Sequence, residues 1–344
     1  MNHKDQDTNF RLKMLKKENA ILQKKFDRCN RERGELESLF EQTRNLLDIV
    51  SQEKLTEEEQ KQLTIFRKFV PQEFLQSLNK ADWLDIKLGD HVQRDMTVLF
   101  NDIRSFTVHS EQMSIEDNFS FINNYLSCIS PAIQNNGGFI DKYIGDAVMA
   151  LFFEPCNGIE SAIGMHKVLA VYDKERKKNS LAPIEIGIGL HYGKLMLGII
   201  GVESRMQGTV ISPVVNLASR LESITKIFGS AVIVSKQVLE KSRKEYPTRY
   251  LGKVVSVLKR LELDIFEILS AECDEIFEKK QKSKSFLEEG LHLYFEKKFT
   301  EASVQFMRAL KAYPEDKASQ FYLKKCANLM ITGVVEEWNG AETV

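Results

Sequence analysis

The sequence predicts an α+β protein in which helices pack on a mostly antiparallel sheet. Strand-like and helix-like segments alternate between residues 92 and 270, and this mixture is typical of a sheet covered by helices. A seven-residue apolar repeat precedes this region, and the residue spacing of a helix pair follows it. We therefore expect a central α+β domain at 92–270, with a helical coiled coil before it and a helical tail after it.

Short apolar runs bounded by turn residues mark the expected strands, and longer runs with helical periodicity mark the expected helices. The strands are predicted at 96–101, 138–142, 147–153, 184–191, 195–200, 208–211, 231–234 and 263–269. The helices are predicted at 115–135, 157–177, 213–227 and 235–241.

The seven-residue repeat predicts a coiled coil at residues 10–55. Position a holds Leu12, Asn19, Phe26, Arg33, Phe40 and Leu47, and position d holds Leu15, Leu22, Cys29, Leu36, Thr43 and Val50. Positions a and d form the seam between supercoiled helices, and a buried asparagine such as Asn19 favours a two-stranded parallel coil. The alternative is a single amphipathic helix that docks on the globular domain.

The remaining segments are assigned from their composition. Residues 1–9 are polar and are expected to be disordered, and 56–91 are expected to form a helical connector. The charge-dense stretch 271–284 is expected to be a linker or an exposed helix. A helical tail is predicted at 285–330, followed by a C-terminal tail at 331–344.

The helical tail has the small–large–small spacing of one tetratricopeptide helix pair. The residues that carry this spacing are Gly290, Phe299, Ala302, Phe306, Ala309 and Pro314, and a third helix is expected to start near Phe321. One such repeat cannot bury its own apolar face. We therefore expect the tail to pack on the main domain, on a second copy of the chain or on a partner protein.

Composition narrows the class of protein. The 344 residues carry a net charge of −1, so the chain as a whole has no bulk attraction for nucleic acid or for an anionic membrane. The five cysteines are scattered without CxxC spacing, which argues against a disulfide framework or a zinc site and for a reducing compartment. No apolar run reaches the roughly 18 residues of a membrane helix, and the N-terminus is polar. We expect a cytoplasmic protein without a membrane span or a nucleic-acid partner.

Two aspartates follow apolar, strand-like runs at turns. Asp102 comes after the run that ends at Phe100, and Asp146 lies in the tight turn of an expected hairpin. Carboxylates at one edge of a sheet can hold a divalent metal through hard oxygen ligands. Aspartate is also a common turn residue, so the two positions alone leave both interpretations open.

Four separated blocks resemble the catalytic domain of the class III nucleotidyl cyclases, which make cyclic AMP or cyclic GMP. They are Leu99–Thr107 (LFNDIRSFT), Asp141–Asp146 (DKYIGD), Ile186–Gly193 (IGIGLHYG) and Val215–Glu222 (VNLASRLE). The resemblance covers about half of the chain. It implies a ferredoxin-like α+β domain that dimerises head to tail, with two active sites at the dimer interface.

The resemblance also implies the reaction and its metals. In this family the 3′-hydroxyl of a nucleoside triphosphate attacks its own α-phosphate, and two divalent ions, Mg²⁺ or Mn²⁺, assist. Asp102 and Asp146 match the family's metal aspartates, and the carbonyl of Ile103 completes the metal site. Arg220 matches the arginine that stabilises charge on the α-phosphate, and Asn216 matches the asparagine that positions the ribose.

The base-reading residues implied by the resemblance are Lys142 and Thr209. A lysine donates to adenine N1 and a threonine hydroxyl accepts from the N6 amine, whereas guanine-reading sites carry a glutamate and a small residue such as cysteine. We therefore expect an adenylate cyclase that acts on ATP. The alternatives are a guanylate cyclase and a catalytically weak dimer that signals through its coil and tail.

Two positions depart from the family pattern. The triphosphate lysine matches Lys259, between strands expected at 254–257 and 263–269, but the surrounding loop is altered and Lys253 or Arg260 can serve instead. The family commonly reads Ile-Gly-Asp before the helix that carries Asn216, and this chain reads Ile211–Pro213 (ISP). Serine is a good N-cap and proline suits the first helical position, so the helix start is expected to be preserved.

Overall fold

The computed structural model describes five stretches of the chain: 71–80, 85–111, 113–256, 261–334 and 338–343. Three predictions concern residues that lie outside this part, namely the polar N-terminus, the coiled coil and the connector as far as residue 70. Within the described residues, no helix is long and apolar enough to cross a membrane.

One sheet organises the described residues. Its strands are β1 (His91–Ile103), β2 (Phe139–Ile144), β3 (Ala147–Phe152), β4 (Ile186–Val202), β5 (Arg205–Ile211), β6 (Val232–Ser235), β7 (Thr248–Ser256), β8 (Leu261–Ile268) and β9 (Glu342–Thr343). The strand order is β2-β3-β1-β4-β6-β8-β7-β9, with β5 paired to β4. The β4–β6 and β7–β9 pairs are parallel and the other pairs are antiparallel. The predicted α+β class, with a mostly antiparallel sheet, is confirmed.

The helices cover this sheet and follow it. They are α1 (Gln72–Ser77), α2 (Phe106–Ser110), α3 (Ile115–Gln134), α4 (Pro155–Lys178), α5 (Pro213–Phe228), α6 (Lys236–Lys241), α7 (Asp274–Phe295), α8 (Phe299–Ala312) and α9 (Lys317–Thr332). Helix α5 starts as expected, because the Ser212 hydroxyl accepts from the Val214 amide at 3.1 Å and Pro213 occupies the first turn. It ends at Gly229 in the left-handed conformation, with φ of 61°, which suits glycine.

One long strand replaces two predicted ones. The segments expected at 184–191 and 195–200 are joined in β4, which pairs with β1 without a break through Tyr192, Gly193 and Lys194. These three residues interrupt the apolar pattern but not the backbone pairing. The boundary was therefore set by a partner strand that lies far away in sequence.

The charge-dense segment 271–284 also differs from the prediction. Helix α7 begins at Asp274 within it, and the side chains of Lys280 and Ser283 are buried. The segment is neither a linker nor a wholly exposed helix, because its central lysine is paired with buried carboxylates.

The helical tail packs on the main domain. A single buried cluster joins Phe228 of α5 and Ile265 of β8 to Leu291, Phe306 and Tyr322 of the tail. The sequence left three partners open for the tail: the main domain, a second copy of the chain or a partner protein. In the structure the tail packs on the main domain. Its tetratricopeptide character remains a prediction.

Helix α5 packs directly on strand β4, because two glycines of that strand face the helix. A Cβ atom added at Gly189 would fall on backbone atoms of Glu222 and Ala218, closer than real side chains approach. A Cβ atom at Gly187 would collide with the Thr225 side chain. The absence of these two side chains therefore sets the height of α5 above the sheet.

Candidate active site

The two predicted metal aspartates meet at one edge of the sheet. Strand β1 pairs antiparallel with β3, with Asn101 opposite Val148, so the end of β1 lies beside the turn that precedes β3. The backbone amide of Ile103 donates to Asp146 Oδ2 at 3.2 Å. The structure therefore brings together Asp102, Ile103 and Asp146 at one edge of the sheet.

The two carboxylates at this edge repel each other. Burial, and then a hydrogen bond and repulsion from Asp102, raise the pKa of Asp146 from 3.8 to about 6. Lys226 Nζ lies 3.3 Å from Asp102 Oδ2, with about half of its side chain exposed.

The donor set at this edge suits a divalent cation. Within the described residues, no group of three or more His, Cys, Asp or Glu side chains is placed to hold a metal ion. A metal here would bind two carboxylates and a backbone carbonyl, which are hard oxygen donors of the kind that Mg²⁺ and Mn²⁺ prefer.

Sequence reasoning missed a third carboxylate behind this edge. Glu222 on α5 is 6% exposed, and its Oε1 atom is buried without a hydrogen-bond partner. Burial, followed by the nearby charge of Asp102, raises its pKa to about 7. In the sequence, Glu222 lies two positions after Arg220, and this spacing does not predict a carboxylate near Asp102. In the structure, the Glu222 side chain lies against Gly187 on β4.

The two predicted catalytic residues lie on helix α5. Asn216 is exposed and Arg220, four residues later, is half-buried. That spacing places both on one face of the helix. Later along α5, Lys226 reaches Asp102 of the same chain. One helix thus carries the predicted ribose and phosphate residues and a contact to the predicted metal edge.

The predicted base-reading residues are in direct contact. Lys142 Nζ on β2 donates to Thr209 Oγ1 on β5 at 2.9 Å, although the two are 67 positions apart in sequence. Lys142 also lies 3.2 Å from Asp141 Oδ2. Burial raises the pKa of the Asp141 carboxyl, an effect that Lys142 opposes.

The structure does not test the predicted triphosphate lysine, because Lys259 lies outside the described residues. Of its alternatives, Lys253 is on β7, where its Nζ lies 3.8 Å from Glu262 on β8. Arg260 also lies outside the described residues.

Comparison with known proteins identifies the central domain. Residues 90–259 match the family described as "Adenylate and Guanylate cyclase catalytic domain". The chain contains a cyclase catalytic domain. The matched residues of this cyclase domain include Asp102, Asp146, Lys142, Asn216 and Arg220.

Two curated relatives each resemble more than half of this chain. The chain is 32% identical over 272 residues to "Adenylate cyclase, terminal-differentiation specific" of Dictyostelium discoideum, covering 76% of this chain and 13% of that protein. It is 38% identical over 218 residues to "Adenylate cyclase" of Anabaena cylindrica, covering 60% of this chain and 43% of that protein. The chain therefore spans less than half the length of either relative.

A solved structure supports the fold. A bacterial light-regulated adenylyl cyclase matches with a TM-score of 0.54 and 21% identity, covering 70% of this chain and 69% of that one. At this identity the likeness concerns the fold of the cyclase domain. The family match ends at residue 259, before β8, although β8 lies between β6 and β7 in the sheet.

Proposed function

We propose that this protein is an adenylate cyclase that converts ATP to 3′,5′-cyclic AMP and pyrophosphate at composite sites of a homodimer. The observation that carries the proposal is the contact between Lys142 and Thr209. It places one donor and one hydroxyl acceptor side by side, and the base edge of adenine offers the complementary N1 acceptor and N6 amine. Membership of the family and the names of the two relatives support the same activity.

Each side chain has a task that follows from its chemistry. Lys142 and Thr209 bind and orient the adenine. Asn216 positions the ribose, so that the 3′-oxygen faces the α-phosphorus. A bond forms between these two atoms, the bond from the α-phosphorus to the pyrophosphate oxygen breaks, and the hydroxyl proton is released. Arg220 stabilises the charge that grows on the α-phosphate, because a guanidinium offers several donors to phosphate oxygens at once. Lys259 is proposed to bind the triphosphate.

Metal binding is assigned to the carboxylate edge. Asp102, Asp146 and the Ile103 carbonyl would hold two ions of Mg²⁺ or Mn²⁺, which acidify the hydroxyl and neutralise phosphate charge. A bound divalent ion would relieve the repulsion among these carboxylates, since Asp146 and Glu222 both crowd Asp102.

Self-association is supported by exposed apolar side chains. On the β4–β5 arm, Ile200, Val202, Met206 and Ile211 are each between 45% and 61% exposed, and a group of exposed apolar residues indicates an interaction surface. We propose a head-to-tail homodimer in which one chain supplies the aspartates and the other supplies Lys142, Thr209, Asn216 and Arg220. A coiled coil at 10–55 would raise the effective concentration of the two cyclase domains.

The test is product identification with purified full-length protein. The protein is incubated with ATP or with GTP, each with Mn²⁺ or Mg²⁺, and the nucleotides are separated. We expect cyclic AMP from ATP, with a loss of about 1000-fold in Asp102→Ala and Asp146→Ala because both charges act on the transition state. Asp95→Ala is the matched control, because Asp95 is an exposed aspartate on the same strand.

Three outcomes would contradict the proposal. Cyclic GMP from GTP as the main product would favour a guanylate cyclase. No cyclic product under any of the four conditions would favour a catalytically weak signalling dimer. Substantial turnover by Asp102→Ala or Asp146→Ala at saturating Mn²⁺ would show that the metal assignment is wrong.

A further inference from the structure

The end of helix α5 is held by the C-terminal helices. Lys280 on α7 donates from Nζ to the carbonyl oxygen of Gly229 at 3.1 Å, and Gly229 is the residue that ends α5. An ammonium group at the C-terminal carbonyls of a helix is favourable, because it meets the negative end of the helix dipole.

Lys280 is part of a buried network. Lys280 is about 1% exposed, and its Nζ lies 2.8 Å from Glu267 Oε2 and 2.5 Å from Glu272 Oε1. Ser230, the residue after Gly229, donates from Oγ to Glu267 at 2.8 Å. The Glu267 carboxylate therefore binds both Lys280 of α7 and Ser230, which lies just beyond the end of α5.

A second buried cation continues the network into α9. Arg249 on β7 is fully buried and pairs with Glu267. It also donates to both carboxylate oxygens of Asp316 at 2.9 Å, and Asp316 is the residue before α9. This network ties the tail to strands β7 and β8.

Aromatic side chains also hold the C-terminal end of α5 against α9. The Phe228 ring at the end of α5 lies 5.3 Å from the Phe321 ring, edge to face, and stacks on Tyr322 at 5.9 Å, measured between centroids. Both partners belong to α9. The tail thus contacts the last turn of α5 through a polar side and an aromatic side.

The chain segment that carries Asp102 also contacts the end of α5. Arg104 directly follows Asp102 and Ile103, and it donates to the Ser230 carbonyl at 2.7 Å and toward the Thr225 carbonyl at 3.5 Å. A cavity of about 600 Å³ lies beside this junction, with Arg104, Gly229, Glu272 and Lys317 among its lining residues. On the side of this cavity, Arg104 holds the α5 end through these polar contacts.

We propose that the C-terminal helices position α5 for catalysis, and that Lys280 is the positioning residue at the contact. Arg220 lies nine residues before Gly229, about 13 Å along a rigid helix, so a tilt at the clamped end displaces its guanidinium. A displacement of about 1 Å in a positioned group can cost about 100-fold in rate. The role of Arg220 in this inference rests on the proposed function. The contact between Lys280 and the end of α5, which we call the clamp, does not depend on it.

Four variants of the full-length protein test the clamp. Lys280→Met removes the ammonium, and Lys280→Arg keeps a cation. Lys279→Met is the matched control, because the neighbouring Lys279 forms an exposed ion pair with Glu275 on the same helix. Phe321→Ala loosens the aromatic contact without leaving a buried charge, and it decides the question if Lys280→Met does not fold.

Amide hydrogen exchange is the first readout and needs no catalysis. In Lys280→Met or Phe321→Ala, we expect peptides of α5 to exchange at least about tenfold faster, while those of α3 stay within about twofold. Lys279→Met should match wild type at both helices. Unchanged exchange of α5, or equal acceleration of α3 and α5, would overturn the proposal.

Kinetics below the melting temperature are the second readout. We expect the kcat for ATP in Lys280→Met to fall at least about tenfold with KM changed less than about threefold, because a group that acts in the transition state is misplaced. Lys280→Arg should recover more than about a third of kcat, since it keeps a cation at the contact. A kcat that follows the folded fraction alone would overturn the proposal. If the wild type makes no cyclic product, the proposed function fails instead, and the exchange data alone decide on the clamp.

Discussion

Lys226 on α5 lies 3.3 Å from Asp102 on β1. The ammonium offsets part of the charge at an edge where Asp146 and Glu222 also crowd Asp102. A divalent cation bound there must share Asp102 with the lysine or displace it. The chain therefore carries its own competitor for the metal.

Removing that competitor should strengthen metal binding. In Lys226→Met we expect Mn²⁺ to bind about fivefold more tightly, because a half-exposed ion pair is worth about 1 kcal/mol or less. The measurement is free Mn²⁺ by electron paramagnetic resonance. Lys236→Met is the control, since Lys236 pairs with Glu240 on the surface of α6. Weaker or equal Mn²⁺ binding in Lys226→Met would contradict the competition.

Metal binding should also depend on pH. The pKa of Asp146 is raised to about 6, so the carboxyl is mostly protonated at pH 5 and must lose a proton when a metal binds. We expect Mn²⁺ affinity to fall about tenfold between pH 7 and pH 5, in the same resonance titration. Asp146→Asn should bind weakly with a flatter profile. An affinity independent of pH over this range would show that the carboxyl is already ionised at pH 5.

The same shift predicts the sign of a stability change without metal. The folded state binds the Asp146 proton more tightly than the unfolded state, whose carboxyl keeps the ordinary value of 3.8. The contribution of this group to the free energy of unfolding should therefore decrease as pH rises from about 4 to about 6. Thermal melting of wild type against Asp146→Asn across this range isolates the effect, and a difference that grows with the opposite sign would refute it.

The contact between Lys142 and Thr209 should control the choice of base. Guanine reverses the pattern of adenine, with a donor at N1 and an acceptor at position 6. We expect Lys142→Glu combined with Thr209→Cys to raise the ratio of kcat/KM for GTP over ATP about 100-fold, because each mismatched polar group is left unpaired. Lys194→Glu, at an exposed site on β4, should leave the ratio unchanged. Retained preference for ATP in the double variant would remove these two residues from base recognition.

The proposed composite site makes a complementation prediction. Asp102→Ala and Arg220→Ala homodimers should each be inactive. A mixed dimer places both lesions in one site and leaves the other site whole. Purified mixed dimers should therefore keep about half of wild-type activity, and an unsorted co-expression mixture about a quarter. Cyclic AMP formation by purified mixed dimers, carrying one affinity tag on each variant, is the measurement. Mixed dimers without activity would mean that each site is built within one chain.

Local signals predicted the helices and the site edge well. The apolar periodicity of α3 and α5 and the Ser212–Pro213 start gave boundaries within a residue or two. The turn at Asp146 was equally clear, because a tight turn between strands is encoded by adjacent residues. The pairing of Lys142 with Thr209 came from the family resemblance, since no local pattern links residues 67 positions apart.

Buried charges were the part that sequence reasoning could not reach. Lys280 lies in a stretch of acidic and basic residues that resembles a solvated surface, and its partner Glu267 is 13 positions away. Arg249 and Asp316 are 67 positions apart. Whether a charged side chain is solvated or buried depends on such distant partners, and a local pattern does not contain them.

The placement of β8 limits how this protein can be divided. A fragment that stops at residue 259, where the family match ends, would lack the strand that joins β6 to β7. Unpaired strand edges of this kind are templates for aggregation. The apolar surface of α5 that α7–α9 cover would also face water. Fusion proteins that include the cyclase domain should therefore carry the chain through residue 332, at the end of α9.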